Sequence, residues 1–459
     1  MLTYVNHQRE LHYKITQLIN EQQIKEAESL LSDYEELYGE TEETLSMKAI
    51  TRIIQGNLFE SQLLLERGTI DFPNSADMYF NLGYVYSMQA DSVRAMEAYC
   101  KGRLLDQNAK VSFADLVKTP ISSPSSLRVL HGTMEIANQM NELTRGLNHL
   151  GVCAETVNYY PNYLNYRSDN VFDLNSLPES QRIKRTRDLA AQFISSYDIF
   201  HFHFGTSLTQ ENADLPLIKE LKKKVYMHHW GSDVRLISRA LKLNPYSRVK
   251  TTNEQEIMRH LEFLSRFIDS SIVADWELYE YVKDFYKKIY LIPQAINTDL
   301  YIPKPQQKKK RFLIVHAPTS PEIKGTQYII KAIDTLKLNY QLDFKLVQGI
   351  SHSEAMKIYQ QADLIIDQIL LGSYGLFALE AMSMGKPVIC WLTDFMLSKY
   401  PADLPLISAN PDNIRDVLEN ILKNRDMLIP LGQRGRDYVV KYHDYRAVAK
   451  KLLSLYQSA

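Results

Sequence analysis

The segment Ala362–Ile389 constrains the fold more than any other part of the chain. Ala362-Asp363-Leu364-Ile365-Ile366-Asp367 is a short apolar run between polar residues, the pattern of a strand buried on both faces. A glycine-bearing turn follows at Gly372-Ser373-Tyr374-Gly375. A helix carrying Glu380 comes next, then Gly385-Lys386-Pro387 and a second apolar run. A tight turn into a helix N-terminus offers free backbone N–H groups and the positive end of a dipole, which suits a phosphate or an anionic leaving group. A carboxylate one turn further in accepts hydrogen bonds from sugar or ribose hydroxyls.

The rest of the chain falls into three parts. The first 110 residues read as helical and repetitive at a period of 34, over windows 8–41, 42–75 and 76–109. Ala27, Ser61 and Ala95 share one small-residue position, and Leu31, Leu65 and Tyr99 the large apolar one four residues on. Helix pairs stacked into a short solenoid follow, an array that serves protein binding or self-association or simply caps the rest of the chain. Thr119–Ser126 is a turn-rich linker. Beyond it the texture changes to alternating strands and helices, which predicts doubly wound α/β domains. Strands are expected at Leu127–Leu130, Ile199–His203, Val225–His229, Ser271–Ala274 and Ile289–Pro293. A Lys-rich connector at Pro303–Lys310 leads to a second unit with strands at Arg311–Val315 and Phe344–Val347. The predicted domains are 1–115, 127–300 and 311–440, with a C-terminal helix over 441–459.

A charged fraction of 23% and a formal net charge of −1 give no electrostatic case for nucleic acid. Cys100, Cys153 and Cys390 are too sparse for a disulfide framework and lack metal-ligand spacing. No signal peptide or membrane-spanning run is read, so the expected location is cytoplasmic, with at most peripheral contact at the inner face of the membrane.

Histidines gather at two strand ends. Asp198-Ile199-Phe200-His201-Phe202-His203 puts His201 and His203 on one face by the period of two. His228-His229-Trp230-Gly231-Ser232-Asp233 ends another strand, with His228 or His229 expected to face a cleft. Ligands of open α/β sheets sit at the C-terminal strand ends, where histidine and aspartate orient or deprotonate a hydroxyl. Zinc is not predicted, because neither H-x3-H on a helix nor a cysteine partner accompanies these residues.

Gly372–Ile389 closely resembles the donor-site segment of family 4 retaining glycosyltransferases, which have the GT-B fold. That family reads E-G-F-G-L-x-x-L-E-A-M-x-x-G-x-P-V-I. Glu380 matches its second glutamate, and Gly372 stands where the first would be. Val315–Thr326 resembles the family's phosphate loop; Lys324-Gly325 matches, but Thr319 replaces the usual arginine. The D-x-x-H-x-H and H-G-x-D segments resemble Asp198–His203 and His228–Asp233, with Trp230 at the motif histidine. Gly132-Thr133 resembles the glycine loop, Val347–Ser351 the base-recognition loop, and Tyr438–Tyr456 the C-terminal helix that crosses back. The third 34-residue window resembles the tetratricopeptide repeat.

The resemblance covers roughly residues 127–459 and implies two Rossmann-like domains around a cleft. It implies retaining transfer from a nucleoside-diphosphate sugar, a UDP-sugar above all, to a hydroxyl acceptor on a glycan, lipid or protein, with no permanently bound cofactor. Lys324 would clamp the leaving diphosphate, with His229 and Asp233 beside it in catalysis. Glu380 would hold the ribose, Ser373, Tyr374, Gly375 and Leu376 would present backbone N–H groups to the sugar or phosphate, and Thr319 and Gly325 would complete the donor site. Gly132, Thr133, His203 and His228 would line the acceptor side. Gly372 implies an altered sugar preference, with Asp367 or Gln368 as substitute contacts. The alternatives are a silent GT-B scaffold acting through its repeats, a nucleotide-sugar epimerase or a phosphorylase.

Overall fold

The computed structural model describes residues 2–109, 127–161, 166–304 and 311–458. The linker Thr119–Ser126 and the lysine run of the connector lie outside these residues. The chain divides into two compact units.

The first unit opens with α1 (Leu2–Asn20), α2 (Ile24–Tyr38), α3 (Glu42–Ile54), α4 (Leu58–Asp71), α5 (Ala76–Met88) and α6 (Ser92–Leu105). The second helix of each pair starts at Ile24, Leu58 and Ser92, the 34-residue period of the sequence. Side-chain caps at Thr41, Asn57, Ser75 and Asp91 start α3 to α6 by accepting a backbone N–H of the first turn. Ala27, Ser61 and Ala95 are buried, as are Leu31, Leu65 and Tyr99. Two helices from much later in the chain, Glu179–Ser196 and Asp214–Glu220, belong to this same unit. Lys101–Asp188 and Arg103–Glu220 ion pairs, at 3.4 and 3.5 Å, join them to α6. Nothing in the local sequence announces that association, since it depends on non-local packing.

The second unit holds two parallel sheets. In the seven-stranded sheet β1 (Arg128–Thr133) lies between β2 (Cys153–Asn158) and β4 (Ile199–His203). The order continues through β3 (Asn170–Val171) on one side and β5 (Lys224–His229), β6 (Ser270–Val273) and β7 (Lys288–Leu291) on the other. In the four-stranded sheet β8 (Phe312–His316) lies between β9 (Leu342–Leu346) and β10 (Leu364–Ile366), with β11 (Val388–Ile389) beyond β10. Both orders reverse at the first strand, so each sheet opens a crevice at its C-terminal edge between β1 and β4, and between β8 and β10.

Alternation along β1, β4, β5 and β6 sends Val129, Ile199, Tyr226 and Ile272 to one buried face. Leu143 and Leu147 of helix Gln139–His149 and Val448, Leu452 and Tyr456 of helix Tyr445–Ser458 cover that face. The C-terminal helix therefore packs on the first sheet, but it is not continuous from Tyr438. Helix Leu428–Tyr442 ends where the chain is pinned to Ile296, whose N–H donates to His443 O at 2.8 Å and whose carbonyl accepts from Tyr445 N at 3.0 Å. That cross-link removes the helical partners on both sides of Asp444.

Candidate active site

On the second sheet, β8 runs into Ala317–Ser320, the one-turn helix Pro321–Lys324 and then Gly325. Gly325 adopts φ +82°, and a Cβ there would lie 2.6 Å from Ile369 Cγ1. The turn thus brings Lys324 against the end of β10. Lys324 Nζ donates to Asp367 Oδ1 at 2.6 Å, and Asp367 Oδ2 accepts the Gly375 N–H at 3.2 Å. Asp367 is fully buried and the Lys324 side chain is 14% exposed, so this is a fixed, largely desolvated pair at the mouth of the crevice. His316 beneath it donates from Nδ1 to Ile366 O and accepts at Nε2 from Thr326 Oγ1, at 2.8 and 2.9 Å. Burial lowers its pKa to about 4, so the imidazole there is neutral.

Glu380 sits one turn into helix Leu376–Ser383 and accepts from the Tyr301 hydroxyl at 3.0 Å. It lines a cavity of about 470 Å³ whose walls include Tyr359, Phe377, Leu376 and the Val347–Ile350 loop. The carboxylate, the aromatic wall and the Val347–Ile350 loop share one space. A second cavity, of about 270 Å³, shares Lys324, Thr319, Trp230 and Ile136 with the first.

Leu376 lines the same cavity, and other side chains and one N–H group of the turn are engaged within the fold. Ser373 O accepts from Gln368 Nε2 at 2.5 Å, which occupies one proposed substitute contact. The Tyr374 ring is buried, stacked on Tyr400 at 4.6 Å with its hydroxyl 3.1 Å from His443 Nε2. The Gly375 N–H is engaged by Asp367, and Asp367 by Lys324, so neither is open to a sugar. Gly372 has φ +80°, and a Cβ there would meet Thr393 Cγ2 at 2.6 Å and Asn244 Nδ2 at 3.1 Å. The position that the resemblance gives to a glutamate is filled by a loop from the first sheet's side, whose Asn244 Nδ2 donates to Leu370 O at 2.7 Å.

The acceptor-side residues also depart from expectation. His229 is buried; its Nδ1 lies 2.7 Å from Asp233 Oδ2 and its Nε2 2.8 Å from the Tyr286 hydroxyl. Asp233 Oδ1 accepts the Trp230 and Gly231 N–H groups at 3.1 and 2.8 Å. Burial raises the Asp233 pKa, but the His229 bond and the two N–H bonds outweigh it, and the carboxyl lies below its ordinary value. His229 and Asp233 therefore hold the turn that presents Trp230 to both cavities, and neither lines them. Thr133 is fully buried and donates to Ser207 O at 3.1 Å, so Ile136 and Ala137 of the loop after β1, rather than Gly132 and Thr133, reach the cavity.

His131, His201, His203 and His228 form a buried chain. His131 Nδ1 and His203 Nε2 are 3.1 Å apart, as are His201 Nε2 and His228 Nδ1. The Tyr456 hydroxyl joins the halves, 3.3 Å from His131 Nε2 and 2.5 Å from His201 Nδ1. His131, His201 and His203 bring nitrogens within 4.8 Å of one another. Their rings stack, His131 on His201 at 4.3 Å and His201 on His203 at 4.6 Å, and stacked rings do not aim their lone pairs at one point. The arrangement is a hydrogen-bonded chain. Burial, then the neighbouring rings, hold His201, His203 and His228 well below the ordinary histidine value, and burial takes His131 to about 3. His203 and His228 thus act behind Trp230, which stacks on His228 at 3.9 Å.

Trp230, Tyr301, Tyr359, Phe377, Ile136 and Ala137 belong to the candidate site without being assigned by any motif. The available signal was Trp230's place in the motif histidine position; Tyr301 carries none, since only folding brings it to Glu380, 79 residues away in sequence.

No family model matches the chain. The chain is similar to the MMP alpha-(1->4)-mannosyltransferase of Mycolicibacterium hassiacum, 20% identical over 202 residues, which cover 38% of this chain and 49% of that one. It thus spans about half the length of that relative. It is also similar to the D-inositol 3-phosphate glycosyltransferase of Corynebacterium aurimucosum, 21% identical over 323 residues, which cover 59% of this chain and 74% of that one. Among solved structures, HepE of Anabaena in complex with UDP-glucose superposes with a TM-score of 0.54 at 12% identity, over 72% of this chain and 100% of that one. A glycosyltransferase from Rickettsia africae gives a TM-score of 0.51 at 14% identity, over 73% and 98%. The second unit has the GT-B fold, preceded in the chain by a run of helices.

Proposed function

We propose that the protein is a glycosyltransferase that moves a sugar from a nucleoside-diphosphate donor to a hydroxyl acceptor with retained anomeric configuration. The observation that carries this is the contiguity of two spaces. The Glu380–Tyr301 pair, the Tyr359 and Phe377 walls and the Val347–Ile350 loop form a nucleoside-sized cavity that opens onto the Lys324–Asp367 pair. The base stacks among the aromatics, Glu380 accepts from the ribose hydroxyls, and the Lys324 ammonium faces the diphosphate as charge develops on it. UDP is the favoured nucleotide, in line with the complex of the Anabaena neighbour.

In the reaction the bond from the anomeric carbon to the diphosphate oxygen breaks, and the leaving group keeps the electron pair. The acceptor oxygen bonds the same face of that carbon. Among the described residues lining the two cavities Glu380 is the only carboxylate, and no histidine lines them. The acceptor proton therefore passes to the departing phosphate oxygen, and the protein orients rather than titrates.

The repeat helices of the first unit expose Phe59, Leu63, Ile70, Met88 and Val93, which favours a protein partner or self-association there. Among the described residues no helix is long and apolar enough to cross a membrane. A cytoplasmic site of action remains part of the proposal.

The test is diphosphate release from a panel of nucleotide sugars, with Lys324→Ala and Glu380→Ala beside the wild type, and NMR of the product anomer. Release from one donor that both variants lose supports the reading. A folded protein that binds nucleotide but releases nothing would point to the silent scaffold, and an inverted product would reject retention.

A further inference from the structure

The cavity of about 270 Å³ has an unusual charge. Its lining contains Arg235, Arg248, Lys250 and Lys324 and no carboxylate among the described residues. Two of these cations are matched from behind. Lys324 pairs with Asp367, and Arg235 makes two 2.8 Å bonds to Glu277. Arg248 and Lys250, both exposed, line it without an ion-pair partner among the described residues. Ser232, Thr251, Thr319 and Ser320 line the same space.

The loop bearing the two cations is anchored. Asn244 Nδ2 holds Leu370 O, and Tyr246 packs edge-on to Trp391 at 4.9 Å with its hydroxyl on Asp412. On the other side Asn253 caps helix Glu254–Phe267 by accepting the Glu256 N–H. Residues 248–251 are therefore held across the crevice between two fixed points, which lowers the cost of ordering them around a ligand. The same loop fills the place beside Gly372, so the carboxylate that the resemblance puts there is replaced by a neutral wall next to two free cations.

We propose that this second cavity is an anion subsite, in which Arg248 and Lys250 hold a phosphate or carboxylate group carried by the acceptor or by the transferred sugar. This rests on the nucleotide-sugar reading of the adjoining cavity, and it narrows the substrate class to one with a negative charge beyond the donor diphosphate. The volume lies below the roughly 300–1,000 Å³ of a pocket for a whole small molecule. It suits one charged unit of a substrate whose remainder lies outside.

Calorimetry at low ionic strength tests this, with wild type and an Arg248→Ser/Lys250→Ser double variant. The probes are UDP, inorganic phosphate added to the UDP-saturated protein, glucose against glucose 6-phosphate, and UDP-glucose against UDP-glucuronate. The expected result is phosphate binding at the UDP-saturated wild type and at least a tenfold preference for one anionic partner. The double variant should lose both while its UDP affinity stays within twofold. Preference for glucose 6-phosphate assigns the anion to the acceptor, and preference for UDP-glucuronate to the transferred sugar. Equal phosphate binding by both proteins, or no preference for either anionic partner, overturns the subsite. A tenfold fall in the variant's UDP affinity would put the diphosphate itself on Arg248 and equally overturn it. Failure of the wild type to bind UDP, with phosphate still bound and lost in the variant, would reject the nucleotide-sugar reading alone.

Discussion

Trp230 Nε1 donates to His203 Nδ1 across 3.0 Å, and this bond sets the protons of four buried histidines. An indole nitrogen only donates, so His203, held neutral by burial, carries its proton on Nε2 and passes it towards His131 Nδ1. His131 then donates from Nε2 to the Tyr456 hydroxyl, which donates to His201 Nδ1. His201 donates from Nε2 to His228 Nδ1, and the chain ends on His228 Nε2, a buried group with no hydrogen-bond partner among the described residues.

Long-range proton–nitrogen NMR of the imidazoles is expected to find the Nε2–H form for His131, His201, His203 and His228. A single Nδ1–H form among them would contradict the chain. Trp230→Phe removes the fixed donor and should cost about 1–3 kcal/mol of stability, since it leaves a buried nitrogen unsatisfied.

Stability should fall with pH below about 6.5. The pKa values of these four histidines are depressed in the fold, so the unfolded chain takes up protons there that the folded chain does not. Their contribution is complete above the unfolded value and is lost as pH falls towards the folded ones, by up to about 1.4 kcal/mol per unit for each histidine. His316 and His443, lowered to about 4 by burial, act the same way. Glu135, Glu142 and Asp275, each pushed up to about 7 by burial, oppose it but are fewer. Urea midpoints measured from pH 7 to pH 5 should decline; a flat profile would mean that the histidines titrate normally.

Lys324→Ala should lower turnover by roughly 10²–10³-fold, as expected for loss of a charge that stabilises the transition state. It should also cost about 2–3 kcal/mol of stability, because Asp367 is left buried without its partner. Adding Asp367→Asn should restore most of that stability but none of the turnover. Recovery of activity in the double variant would show that the pair is only structural.

Gly372→Glu should not recreate the donor contact of the resembling family. The left-handed backbone and the close Thr393 and Asn244 side chains should make it destabilising by roughly 2–4 kcal/mol. Thermal denaturation reads this directly, and a neutral result would mean that the Asn244 loop moves aside.

Glu380→Ala should erase discrimination between UDP and 2′-deoxy-UDP, which in the wild type should be about tenfold for one hydrogen bond to a charged group. Tyr301→Phe should reduce that preference without abolishing it, since the carboxylate remains but loses the hydroxyl that orients it. Competition binding with both nucleotides gives the ratio.

Much of the fold was legible because local patterns state it. The period of 34 located the helix pairs, and runs such as Leu364-Ile365-Ile366 located buried strands. Short edge strands such as Asn170–Val171 were missed, because two residues carry no periodicity. At the site, Glu380, Lys324 and the Val347–Ile350 loop were found from motifs and do line one cavity. His229, Asp233 and Thr133, expected at strand ends, sit behind the surface, because alternation tells which face a strand residue takes but not which face is open.

Local periodicity and turn chemistry dictate the parallel α/β architecture, the run of paired helices and the residue types at the strand ends. Only the tertiary structure decided that Asp367 pairs with Lys324 and that Tyr456 closes the histidine chain from the far end of the protein. It also decided that the Asn244–Lys250 loop crosses to the Gly372 turn. Each of these contacts joins residues far apart in the chain, and only the folded geometry puts their side chains within hydrogen-bonding reach or van der Waals contact.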